Sequence, residues 1–168
     1  MVPGGRTARS WTAVLLTACS ATVPGSTAGS AVVVGVVDGD TIDVTIGGRT
    51  ERVRLLGIDT PEIDHDAFDG RPAVAAECFG DEATAHVGRL LPPGSAVRLV
   101  RDVVGRDDYG RLLAFVFRSS DGLFVNEHLV RTGFAVPLSI PPNESLRSIF
   151  VDAASAAERD DAGLWGAC

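Results

Sequence analysis

The chain contains no lysine. Its 15 basic residues are all arginine, set against 22 aspartates and glutamates for a formal charge of −7. Coding bias explains the choice of arginine without any functional meaning. The acidic balance is more telling, because it argues against holding nucleic acid by bulk positive charge; an anionic ligand must be gripped by a few local groups. Long apolar runs are also missing, and none approaches the roughly 18 residues of a bilayer-spanning helix. No heptad or collagen-like repeat occurs, and 45% hydrophobic content excludes a disordered chain. A length of 168 residues suits one domain, since two would each be marginal in core. Cysteine is sparse, with three in all. Neither their spacing nor the scattered His65, His86 and His128 spells a zinc site.

What is present begins with a leader. Arg6 and Arg9 precede the apolar run Trp11-Thr-Ala-Val-Leu-Leu-Thr-Ala18, and small or polar residues follow to about Ser30. A positive start, a short apolar stretch and small residues form a secretory pattern. Residues 1–30 are therefore expected outside the fold, and residues 31–168 within it. Leu16-Thr17-Ala18-Cys19 matches the bacterial lipobox pattern, in which the cysteine is lipidated and becomes the new N-terminus; ordinary cleavage further on, for instance after Ala31, is the alternative. Residues 20–30 would then serve as a flexible tether. Loss of residues 1–18 leaves 13 arginines against 22 acidic residues, a charge of −9. An extracytoplasmic location permits a disulfide. Assigning Cys19 to lipid leaves Cys78 and Cys168 as a possible pair, whose large loop is worth roughly 4–5 kcal/mol in chain-entropy terms. Two free thiols, or one pairing between chains, stay open.

Strands dominate the first half. Residues 31–37 and 41–46 are β-branched runs separated by Asp38-Gly39-Asp40, a strong hairpin signal, and Gly47-Gly48 leads into a third run over 49–56. Ile42, Val44 and Ile46 alternate as a half-buried strand requires. An acidic stretch, 59–78, precedes a predicted helix over 80–91, with Asp81 as candidate N-cap and Pro92-Pro93-Gly94 as its stop. Further strands are expected at 96–104 and 112–117, and helices at 125–131 and 144–159. Five strands in hairpin order with a helix between the third and fourth suggest an α+β fold, a small Greek-key barrel of OB type with three helices.

Three segments carry chemistry. Val36-Val-Asp-Gly-Asp-Thr-Ile42 sets two carboxylates around a hairpin. Arg54-Leu-Leu-Gly-Ile-Asp-Thr-Pro-Glu62 sets a strand arginine before Asp59 and Glu62. Asp107-Asp-Tyr-Gly-Arg111 puts another arginine before the fifth strand. Singly, each has an ordinary explanation as turn or capping chemistry. Together they supply what phosphodiester hydrolysis needs. Asp40 and Asp59 are hard oxygen ligands suited to Ca²⁺ or Mg²⁺, and Glu62 can take a proton from water. Arg54 and Arg111 can each grip phosphate oxygens with a planar fork.

The order of these segments, followed by Val125-Asn-Glu-His-Leu-Val-Arg-Thr-Gly133, resembles the thermonuclease, or staphylococcal nuclease-like, family over about residues 32–165. That resemblance implies an OB-fold barrel with three helices that hydrolyses DNA and RNA with Ca²⁺ and leaves 3′-phosphate ends. It implies Asp40 and Asp59 as calcium carboxylates, the Thr60 carbonyl as a further ligand, and Asp38 as a supporting acid. Glu62 becomes the general base, and Arg54 and Arg111 the phosphate-binding pair, with Tyr109 beside the substrate. The Glu77-Cys-Phe-Gly80 entry to the first helix and the terminal Cys168 resemble secreted members that carry a bridge, and Gly163-Leu-Trp165 resembles a packing element.

Departures are also visible. The segment Ala135-Val-Pro-Leu-Ser-Ile-Pro-Pro-Asn143 lacks the base-stacking tyrosines of the best-known members, and Asp108 stands where lysine is familiar. Stacking contributes about 1–3 kcal/mol per base, so modest affinity is expected. Asp64, His65, Asp66 and Asp69 form a solvated acidic loop or, less simply, a further cation site. The rival interpretations are a non-catalytic OB module binding nucleic acid or protein at the cell envelope, and an envelope hydrolase for a smaller phosphodiester. A monomer is expected, and membrane contact only through the lipid on Cys19.

Overall fold

A computed structural model describes residues 28–64, 73 and 75–168. Residues 1–27 of the proposed leader, with Cys19, and the loop residues His65, Asp66 and Asp69 lie outside the described residues.

The Asp38-Gly39-Asp40 and Gly47-Gly48 turns fold the first three strands into a meander. β1 (Ala28–Val36), β2 (Thr41–Ile46) and β3 (Arg49–Leu55) pair antiparallel in sequence order. Gly47 and Gly48 both have positive φ, the conformation a tight hairpin of this kind demands. β5 (Ala96–Val100) pairs antiparallel with β1 on one side and with β6 (Leu112–Arg118) on the other. Closure comes from β3 and β6, which run parallel with Val53 opposite Leu112 and Arg54 opposite Leu113. The result is a closed barrel in the order β1-β2-β3-β6-β5. Ile42, Val44, Val53, Leu55, Val97 and Val116 fill its interior, while Phe115, on the opposite face of β6, packs against Phe124 and Phe150.

Between β3 and β5 lie β4 (Ile58–Asp59) and α1 (Gly80–Leu90); after β6 come α2 (Val125–Arg131), β7 (Val136–Pro137), α3 (Arg147–Arg159) and the short α4 (Leu164–Ala167). α3 buries Phe150 and Ala153 in the same core. Gly57 has positive φ, and a Cβ there would lie 2.2 Å from the Phe150 ring, so only glycine lets the β3–β4 turn pass beneath that ring.

Several boundaries differ from the sequence expectation. β1 starts at Ala28, so residues 28–30, assigned above to the leader, pair with β5. β5 stops at Val100, because the chain leaves the barrel wall and Val103 becomes 70% exposed. α3 begins at Arg147 rather than at residue 144, since the Ser145 N–H is taken by Asp102 Oδ2 at 3.1 Å. Asp81 is not the N-cap of α1. That position belongs to Phe79, at φ 74°, and no side chain caps the helix. Asp81 sits within the first turn, where its charge still complements the helix dipole.

Cys78 and Cys168 form a disulfide, with Cα atoms 6.1 Å apart. The histidines are less scattered than their numbering suggests: His86 on α1 and His128 on α2 bring their Nε2 atoms to 3.5 Å, and the His86 ring stacks on Phe134.

Candidate active site

One guanidinium gathers the acidic motifs. Arg54 leaves β3 at the site end of the barrel and donates from one terminal nitrogen to the carbonyls of Leu55 (2.9 Å) and Ile58 (2.8 Å). Its other terminal nitrogen lies 2.8 Å from Asp40 Oδ2 and 2.6 Å from Asp59 Oδ1. The β1–β2 hairpin and the β3–β4 turn, 19 residues apart in the chain, therefore converge on one cation.

Local packing fixes each acid. The Asp40 N–H donates to Asp38 Oδ1 at 3.0 Å, which tightens the hairpin. Asp40 itself is buried and accepts from the Thr41 hydroxyl (3.0 Å) and the Thr60 N–H (3.3 Å). Gly39 makes the last contact possible, because a Cβ there would lie 2.6 Å from Thr60 Oγ1. Asp59 is placed by the two-residue β4–β7 ladder, in which it faces Val136. Burial pushes the Asp40 carboxyl up to about 7; Arg54 pulls the other way, while Asp38 and Asp59 add repulsion. Two carboxylates thus share one guanidinium, with Asp38 behind them. Among the described residues, no three His, Cys, Asp or Glu side chains form a ready-made metal cage.

Arg54 and Arg111 line the same cleft, of about 390 Å³, with Asp107, Tyr109 and residues 140–143 among the other walls. That volume lies within the range of small-ligand sites. Asp107 engages Arg111 through Nε at 2.7 Å and accepts from the Arg111 N–H at 2.8 Å. The exposed Tyr109 ring lies 5.6 Å from the Arg111 guanidinium. Glu62 is exposed, three residues beyond Asp59 and hence within about 11 Å of it along the chain. The far wall of the cleft is aliphatic: Leu138, Ile140, Pro141 and Pro142 stand where stacking aromatics were missed in the sequence.

Two asparagines that sequence reading passed over hold this arrangement. Asn126, buried on α2, accepts from Val116 N–H (2.8 Å) and donates to the Leu56 carbonyl (2.9 Å), fixing the β3–β4 turn to β6. Asn143 accepts from Val104 N–H (2.8 Å) and donates to the Val104 carbonyl (3.0 Å), pinning the cleft wall. The signal for Asn126 in the sequence is its polarity on the otherwise apolar face formed by Val125, Leu129 and Val130.

The family profile described as "Staphylococcal nuclease homologue" matches residues 52–167. The chain belongs to the staphylococcal nuclease family. It is 35% identical over 130 residues to a thermonuclease of Staphylococcus intermedius (77% of this chain, 72% of that protein), and 32% over 133 residues to one of Staphylococcus hyicus (79% and 73%). An uncharacterized protein of Bacillus anthracis is 35% identical over 135 residues, of which the match spans 59%. Endonuclease YhcR of Bacillus subtilis is 34% identical over 135 residues, but these make up only 11% of that much longer protein. For this staphylococcal nuclease homologue the match takes in Arg54, Asp59, Glu62 and Arg111, whereas Asp38 and Asp40 precede residue 52 and join the site through the barrel.

Proposed function

We propose that this chain is a calcium-dependent phosphodiesterase that cleaves DNA and RNA and leaves 3′-phosphate ends. One observation carries most of the weight: Arg54 binds Asp40 and Asp59 together while lining the cleft that also holds Arg111. Relatives named thermonuclease and endonuclease support the same activity.

The donors fit a hard divalent cation, being all oxygen and carrying more negative charge than Arg54 offsets. Asp40, Asp59 and the Thr60 carbonyl would hold it, with Asp38 behind them, and when bound it polarises a phosphoryl oxygen and orients water. The remaining work falls to the chain's own side chains. Arg111, engaged by Asp107 through Nε, meets phosphate oxygens with its terminal nitrogens. Arg54 follows the charge that grows in the transition state. Glu62 accepts the proton of the attacking water, the new bond forms to phosphorus, and the 5′ oxygen leaves. The aliphatic cleft wall offers contact without aromatic stacking, in keeping with modest affinity.

We also propose export, with lipid on Cys19. Residues 28–32 pair with β5, so cleavage after Ala31 would remove four of those five paired positions; cleavage before Cys19 keeps the strand whole. Mass spectrometry of the mature N-terminus separates the two, and a terminus at Val32 would refute the lipoprotein form. For activity, plasmid, single-stranded DNA and RNA are digested with Ca²⁺ or with chelator, and product ends are mapped. Calcium-dependent cleavage with 3′-phosphates is expected. Binding without cleavage under every condition would favour the non-catalytic module.

A further inference from the structure

Glu62 opens the loop that follows β4, and Glu77 closes it. The two residues meet at its neck. The Glu77 N–H donates to the Glu62 carbonyl at 2.9 Å, and the Glu62 N–H donates back to Glu77 Oε2 at 3.1 Å. Both backbone polar groups of Glu62 are thus held by one residue, whose side chain stands in for a strand carbonyl. From the other side, the start of α1 presses on the same peptide. A Cβ on Gly80 would lie 2.3 Å from the Glu62 carbonyl oxygen, so only glycine permits this approach.

The frame behind the neck is covalent. Cys78, next to Glu77, is bonded to Cys168 at the C-terminus. That terminus is itself seated on the end of α2: Leu164 N–H donates to the Gly133 carbonyl at 2.9 Å, and a Cβ on Gly163 would lie 2.3 Å from the same oxygen. An exposed carboxylate therefore rises from a backbone fixed at its N–H, at its carbonyl and through an adjacent bridge.

We propose that Glu77 is a positioning residue, which presents Glu62 to the reaction through this neck. The proposal rests on Glu62 acting as the general base. What matters in Glu77 is an acceptor oxygen at the right reach, not its charge, so the amide of glutamine serves equally well.

The test is steady-state hydrolysis of a single-stranded DNA by four variants of the full mature chain, with thermal unfolding alongside. Glu77→Ala is expected to lower kcat roughly ten- to a hundredfold, the scale on which small misplacements act, with KM and the unfolding midpoint nearly unchanged. Glu77→Gln should restore kcat to within about twofold. Combining Glu62→Gln with Glu77→Ala should be no slower than Glu62→Gln alone, because a misplaced base cannot be lost twice. If Glu62→Gln is slow while Glu77→Ala matches the parent, or Glu77→Gln is as slow as Glu77→Ala, positioning by Glu77 is refuted and the base assignment stands. If Glu62→Gln itself is fully active, the base assignment fails and the positioning role falls with it.

Discussion

Two clusters in this chain bring titratable side chains close together, and they solve the problem in opposite ways. Around Arg54, two carboxylates from two turns share one guanidinium, with Asp40 buried beneath it. Between α1 and α2, two imidazoles meet at 3.5 Å, and the His86 ring stacks on Phe134. In the first, two carboxylates against one guanidinium leave negative charge in excess beside the cleft that Arg54 lines. In the second, burial lowers the pKa of both rings, so the pair favours the neutral state and packs as aromatic core. Uncompensated charge that the fold holds in place points to a ligand; compensated neutrality points to packing.

Arg54→Ala breaks the acidic cluster most severely. It strips Asp40 and Asp59 of their shared cation and also removes one phosphate contact. Turnover should fall roughly 10²–10³-fold, and stability by about 3 kcal/mol, the usual cost of leaving a mostly buried charge unpaired. Saturating-substrate kinetics and urea unfolding measure the two losses. A variant that keeps full stability would show that the carboxylates do not depend on Arg54.

A smaller change reaches the same cluster through packing alone. Gly39→Ala drives a methyl group against the short, buried Thr60 side chain, which has little room to turn away. A loss of about 1–3 kcal/mol is expected, with slower hydrolysis because Thr60 and Asp40 are pushed apart. Gly35→Ala on the same strand region meets nothing within 4 Å and is the control. Equal behaviour of the two variants would sever Gly39 from the site.

The acidic cluster was largely readable in the sequence, and the imidazole pair was not. Asp38-Gly39-Asp40 and Gly47-Gly48 are local turn signals, and strand alternation around them gives the meander directly. Asp38 and Asp40 came with the first of those turns. Nothing local, however, encodes the parallel register of β3 on β6, or a β4–β7 ladder of two residues per strand that includes Pro137. His86 and His128, 42 residues apart in sequence, meet only because α1 and α2 pack into the same core. The misplaced N-cap has a similar cause. Asp81 is good capping chemistry, but the close approach of Gly80 to Glu62 forces the chain into the helix through a left-handed Phe79.

The clusters should also answer pH with opposite signs. In the folded chain both imidazoles titrate below their ordinary value: burial is the main cause, the partner ring and Arg89 add to it at His86, and at His128 Arg118 adds while Glu127 opposes. Their contribution to stability is therefore complete above about pH 6.5 and is lost as pH falls through the lowered folded values. Asp40 is raised instead, so its contribution is complete below about pH 4 and is lost as pH rises through about 7. Urea unfolding in chelator between pH 5 and 7 separates the two. Replacing both histidines, His86→Phe with His128→Leu, should make the variant gain more stability than the parent on acidification. Asp40→Asn should make it gain less. If both variants follow the parent curve, neither cluster is titrating in this window, and the contrast between held charge and packed neutrality is lost.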